Sequence, residues 1–181
     1  MNFLFIGNSL AADFVNTEVA SLHGKTDLLS SPESLSSWFD SAGCARGIKC
    51  NEKDLEEAKE LRTAVRRIFD RVAEAKTLHP SDIDLLNVRS NDLNRVLAGS
   101  NNNYKLSFRL ETASDVLALI AQTCSELLAS PRLNSMRKCA SDKCIFYFVD
   151  SSKNQQRHWC SMETCGNREK VRKHYDKNKV R

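Results

Sequence analysis

Apolar residues recur at spacings of three and four through most of the first 131 residues, and this periodicity predicts helices. The clearest stripe is Leu55, Ala58, Leu61, Val65, Ile68 and Val72, with Glu56, Lys59, Arg66 and Glu74 expected to face solvent. Asn51 stands just before it as an N-cap. Ser31 followed by Pro32 predicts a second helix start, leading into Leu35, Trp38 and Phe39. Pro80-Ser81 opens another, expected to carry Ile83, Leu86, Leu93 and Leu97. Thr112 caps a fourth, with Val116, Ile120, Cys124 and Leu127 on one face and Pro131 helping to end it. The period falls to two at Tyr104–Leu110, after a turn at Asn101–Asn103, so this stretch reads as a strand. Its expected partner is Phe3–Ile6. The first 131 residues are therefore expected to be a mainly α domain with a minor β element.

The pattern changes after residue 131. Cys139 and Cys144 enclose four residues, and so do Cys160 and Cys165, which makes two C-x4-C pairs. Zinc takes four soft ligands at tetrahedral corners, and a short loop between paired thiolates offers two adjacent corners. Ile145–Val149 reads as a strand, Asp150–Gln156 as a polar turn, and Arg157–Trp159 as the return toward the second pair. Such a hairpin would bring both loops together around one structural zinc. A disulfide framework and a redox-active thiol set are the alternatives. Seven cysteines is an odd number, and the N-terminus lacks the basic region of a signal peptide. With no apolar run long enough for a membrane helix, a reducing cytoplasm is expected, where paired cysteines favour metal. His158 adjoins the second pair but is not expected to bind. Cys44, Cys50 and Cys124 read as ordinary small residues.

Charge divides the chain at the same place. Residues 132–181 hold 13 Lys and Arg against 5 Asp and Glu, a net of +8. Residues 1–131 hold 14 against 18, a net of −4. A basic cluster around a small metal module is the electrostatic footprint of a polyanion binder. About 130 residues can bury a sufficient core alone, whereas about 40 usually need a metal or disulfide. Two regions are therefore expected: a helical domain over 1–131, and a zinc-binding hairpin-and-helix module over 132–181 ending in a basic helix.

Four segments, Arg137-Lys138-Cys139, Phe148-Val149-Asp150-Ser151, Trp159-Cys160-Ser161-Met162 and Cys165-Gly166-Asn167-Arg168, resemble the CGNR zinc finger, a bacterial domain named after the last four residues. Leu10-Ala11-Ala12-Asp13-Phe14-Val15-Asn16-Thr17 and Leu61-Arg62-Thr63-Ala64-Val65-Arg66 resemble the ABATE domain that precedes this finger in the same family. His158 stands where that family usually has another arginine. The resemblance implies a stress-related, DNA-binding transcription regulator with a helical sensor or association domain.

No enzyme is expected. Four cysteines close a zinc site that catalysis would need open, and there is no Walker loop, G-x-G-x-x-G, H-E-x-x-H, G-x-S-x-G or zinc-deaminase pattern. The expected nucleic-acid contacts are Arg137, Lys138, Lys153, Arg157, Arg168, Lys170, Arg172 and Lys173, with Arg168 also able to brace the zinc loop. Duplex DNA is the expected partner. RNA and a protein-interaction role remain as alternatives, and the oligomeric state is open. Exposed aromatics around Phe146–Phe148 and Trp159 would favour RNA, whereas buried ones beside an exposed basic helix would favour duplex DNA. Asp13, Asn16 and Arg62 are polar residues in an apolar setting. They could line a small-molecule effector pocket or satisfy the fold's own backbone.

Overall fold

Three helices start at the caps expected from sequence, each as a reciprocal box. Ser31 caps α2 (Pro32–Ser41), Asn51 caps α3 (Glu52–Ala73) and Thr112 caps α5 (Ala113–Leu128). In each box the cap side chain accepts from the backbone N–H three residues on, and that residue's side chain accepts from the cap N–H. The computed structural model describes residues 3–21, 24–100 and 103–179. Its other helices are the short α1 (Leu10–Val15), α4 (Pro80–Ser90) and the C-terminal α6 (Asn167–Lys179). Three antiparallel two-stranded sheets complete the described residues: β1 (Glu18–Ser21) with β2 (Gly24–Asp27), β3 (Arg95–Ser100) with β4 (Asn103–Phe108), and β5 (Met136–Lys138) with β6 (Tyr147–Val149).

The main core lies where α1, α3 and α5 converge. Ala11, Phe14 and Val15 meet Leu61, Val65 and Ile68 from α3 and Val116, Ile120 and Cys124 from α5, all fully buried. Trp38 and Phe39 from α2 close one side, and Phe14 packs against Trp38 at 5.2 Å between ring centroids. At about 25 cal/mol per Å² of apolar surface, this packing is the main stabilising term for the region.

Some expectations need correction. The partner of the Tyr104 strand is β3, not Phe3–Ile6, with Leu97 opposite Leu106. Leu93 and Leu97 therefore lie beyond the end of α4. A two-residue alternation overrides the helical reading once the neighbouring segment supplies a ladder. Of the expected turn, Asn101 and Asn102 lie outside the described residues. Arg66 points inward instead of outward. It donates to Val15 O at 2.7 Å and Ile145 O at 3.2 Å. Its Nε lies 2.6 Å from the Glu18 carboxylate, off the line of a good hydrogen bond.

The strand β6 joins the two regions. It pairs with β5, which precedes the first cysteine, and not with the 157–159 return. The return instead touches the first cysteine loop, where Ala140 N donates to His158 O at 2.9 Å. Alternation sends Tyr147 and Val149 into the main core with Met136, while Phe146 and Phe148 pack around the cysteines. Asn16 binds both backbone groups of Tyr147, donating to its carbonyl at 2.8 Å and accepting from its N–H at 2.9 Å. The Val149 N–H donates to Gly7 O at 2.8 Å, so the N-terminal segment covers the rest of the strand.

Candidate metal centre and basic face

The sulfurs of Cys139, Cys144, Cys160 and Cys165 all lie within 4.8 Å of one another. Cys144 and Cys160 are 3.7 Å apart, and Cys160 and Cys165 3.6 Å. A tetrahedral site with bonds of about 2.3 Å has sulfur–sulfur edges of about 3.8 Å, so the cluster fits one four-coordinate ion. Cys139, Cys160 and Cys165 are buried and Cys144 is half-buried.

Local hydrogen bonds shape both loops. In the first, Cys139 N donates to Phe146 O and Cys144 N to Ser141 O, both at 2.9 Å. The N–H of Cys160 points at the Cys139 sulfur from 3.4 Å, the kind of contact that steadies a thiolate ligand. In the second loop Ser161 caps a π-helical turn, Met162–Gly166, which runs directly into α6. Gly166 allows this close turn: a Cβ there would lie 2.6 Å from the Met162 sulfur, so the thioether would have to swing away.

Charge explains why the four sulfurs call for a cation. Hydrogen bonds from Cys144 and then Cys160 hold the Cys139 thiol well below its usual range. The same contact with Cys139 is the largest cause raising Cys144 to about 12, and Cys160 is driven upward by Cys139 and then Cys144. One thiolate thus suppresses the ionisation of Cys144 and Cys160, a repulsion that a bound cation would relieve. The other cysteines stay protonated, since burial raises Cys44 to about 11 and Cys124 to about 12.

Family models match both parts of the chain. One, named ABATE and described as a putative stress-induced transcription regulator, matches residues 8–131, and the CGNR zinc finger matches residues 135–178. The chain belongs to the ABATE family. No curated protein matches it.

Within the CGNR finger, the expected basic contacts separate into two groups. Arg157 is turned inward: it donates to Trp159 O at 2.8 Å and to Cys160 O, and its guanidinium lies 4.4 Å from the Phe148 ring centre. The brace on the metal loop is therefore Arg157, whereas Arg168 is exposed. Lys138 pairs with Asp70 of the ABATE body at 3.0 Å. Arg137 donates to Asn134 O and Met136 O at 2.6 and 2.9 Å. Arg172 is half-engaged, bound to Asp142 and to Glu169 at 2.8 Å each. Lys153, Arg168 and Lys170 are exposed, and the side chain of Lys173 lies outside the described residues.

Sequence reasoning missed the groups that hold these cations and dock the helix. Glu169 is buried and accepts from Ser141 Oγ at 2.8 Å, which pins α6 to the first cysteine loop. Its signal was present as a carboxylate in the first turn of a very basic helix. Asp70 accepts from the Tyr147 hydroxyl as well as pairing with Lys138. Burial, then this hydrogen bond, pushes the Tyr147 pKa up, so the phenol remains a donor.

The expected effector residues in the ABATE body are engaged by the fold's own hydrogen bonds. Asp13 accepts from Gly7 N at 2.7 Å, Asn16 binds Tyr147, and Arg62 forms a two-pronged pair with Asp27 at 2.6 Å while donating to the Thr17 hydroxyl at 2.8 Å. These bonds satisfy polar groups that would each cost about 1–3 kcal/mol if buried without a partner, although Arg62 Nε stays buried without one. A groove of about 630 Å³ beside α3 and α4 is lined by other residues, among them Lys59, Arg67 and Asp84.

Proposed function

We propose that the chain is a transcription regulator that holds one structural zinc ion and binds duplex DNA through its CGNR finger, without a catalytic role. Zinc fits the four-thiolate donor set, and when bound it would cross-link the two cysteine loops and supply positive charge. Cys139, Cys144, Cys160 and Cys165 would fill its coordination, leaving no position for a substrate. Cysteines clustered as metal ligands instead of disulfides fit a cytoplasmic setting. No described helix is long and apolar enough to cross a membrane.

One observation carries the choice of duplex DNA. Phe146, Tyr147 and Phe148 are buried, whereas α6 exposes Arg168 and Lys170. Single-strand binders display aromatic platforms for bases, and here that aromatic strand is used for packing. A helix presenting cations suits the phosphate walls of a groove. The ABATE body, net negative and joined to the finger through β6, would pass a signal or mediate association.

The test is binding of the full zinc-loaded chain to duplex DNA across a salt series. Neutralising about four phosphates gives a log–log slope near −3.6. Lys170→Ala should make the slope shallower by about one unit if that residue meets a phosphate. Absence of binding to both duplex DNA and RNA at low salt would leave the protein-interaction reading in its place.

A further inference from the structure

We propose that α6 is a base-reading helix, and that Arg168, Val171 and Tyr175 set sequence preference in the DNA major groove. This rests on the DNA-binding reading above and adds which side chains carry the specificity.

Three observations converge on this face. The helix spans Asn167–Lys179, about 20 Å at 1.5 Å per residue, and it is anchored through its first turns. Glu169 is held by Ser141 and Arg172 by Asp142. Its chief packing partner is the preceding turn, Met162–Gly166, so the later turns project away from the core. Second, Val171 is 54% exposed and Tyr175 65% exposed on this otherwise highly charged helix. Neither belongs to the main core or to the cluster around the cysteines. At 100° per residue, Arg168, Val171 and Tyr175 share an arc of about 60° turned away from Glu169, with Arg172 about 40° beyond Arg168 on one side and Lys170 about 100° beyond Val171 on the other.

Third, the surrounding charge chooses the occupant. Residues 167–179 carry 6 Lys and Arg against 2 Asp and Glu, and one of those acids, Glu169, is buried. Protein-binding surfaces deplete charge around their apolar centre, whereas this stripe includes Arg168 and lies on a helix dominated by cations. The major groove matches that layout, with phosphates along both walls and base edges on its floor. It also admits a single α-helix. A guanidinium at Arg168 can donate two hydrogen bonds to guanine O6 and N7. The Val171 isopropyl group suits a thymine methyl, and Tyr175 offers an aromatic face with a hydroxyl that donates or accepts. Arg168 is exposed while Arg157 braces the metal loop, which frees Arg168 for this contact.

The experiment is selection of bound sequences from a random duplex pool with the full zinc-loaded chain, repeated with Arg168→Ala, Val171→Ala and Tyr175→Ala. Metal content and the far-ultraviolet circular dichroism of each variant establish that it is folded. The wild type should enrich a defined site. Each variant should lose about 5- to 150-fold discrimination, concentrated at one or two base-pair positions that differ between variants. Lys170→Ala, in contrast, should weaken all sequences alike. Folded variants that all keep the wild-type preference would overturn the inference while leaving DNA binding intact, as would duplex binding with no preference at all. Failure of the wild type to bind any duplex would overturn the DNA-binding reading itself. A preference found only in a single-stranded RNA pool would replace the major groove with a different partner.

Discussion

The ABATE body and the CGNR finger solve the same stability problem by different means, and β6 takes part in both. The body buries large side chains from several helices, among them Trp38, Phe14, Phe69 and Leu61. The finger's own cluster contains only Phe146, Phe148 and three buried cysteines, with half-buried residues such as Trp159 around it. A segment this small needs a cross-link, which the proposed metal would supply. It also borrows from its neighbour: Met136, Tyr147 and Val149 lie in the body's core. The family boundary between residues 131 and 135 is thus a boundary in sequence and not in packing.

The strongest way to break this comparison is to remove the metal. Structural zinc contributes on the order of 10–16 kcal/mol in isolated fingers. Cys165→Ala should abolish a metal content of about one equivalent and unfold the cysteine loops. Because β6 is shared, the melting temperature of the remaining helices should also fall. A body that melts unchanged in this variant would show two independent units.

The two faces of β6 can then be separated. Tyr147→Ala and Phe148→Ala should each cost about 3–5 kcal/mol in urea unfolding, since both rings are fully buried. Phe148→Ala should in addition weaken metal retention against a chelator, whereas Tyr147→Ala should spare it. Equal metal loss in both would mean that the strand acts as one rigid piece. A smaller effect is expected from Asn16→Ala, which strips partners from the Tyr147 N–H and carbonyl; denaturant unfolding should register about 1–3 kcal/mol. A negligible cost would show that water takes over both bonds.

The smallest effect belongs to the N-terminal segment that covers β6. Burial is the largest cause raising the Asp13 pKa to about 6, against the hydrogen bonds from Gly7 and Ile6 that favour the charged form. A folded-state pKa above the unfolded value near 3.8 means that the native state prefers the protonated acid. Its stabilising contribution is complete below that unfolded value and is lost as pH rises through about 6. Asp13→Asn keeps an acceptor for Gly7 without the titration, so its stability should vary less than the wild type's between pH 4 and pH 7. Parallel melting curves over that window would remove Asp13 as the source.

Much of this protein was legible before folding was considered. The caps at Ser31, Asn51 and Thr112 follow from residues three positions apart, and the stripes on α3 and α5 from a period of 3.6. The metal cluster was equally clear, because a C-x4-C loop brings its own two sulfurs together. Failures came where a second segment had to be known. Leu97 joined a strand because Leu106 lies opposite it, and β6 took β5 as its partner.

The amino-acid sequence by itself determined the capped starts of three helices, the four clustered cysteines and the concentration of positive charge after residue 131. Only the tertiary structure decided which cations remain free and what the polar residues of α1 do. Arg157, Lys138 and Arg66 are long side chains whose partners are carbonyls or carboxylates, some of them distant in sequence. Asn16 likewise finds Tyr147, 131 positions away. Periodicity reports which face of an element is buried, but a polar group's partner depends on what packs against that face. For this chain that choice assigns Arg157 to bracing the metal loop and leaves Arg168 exposed on α6.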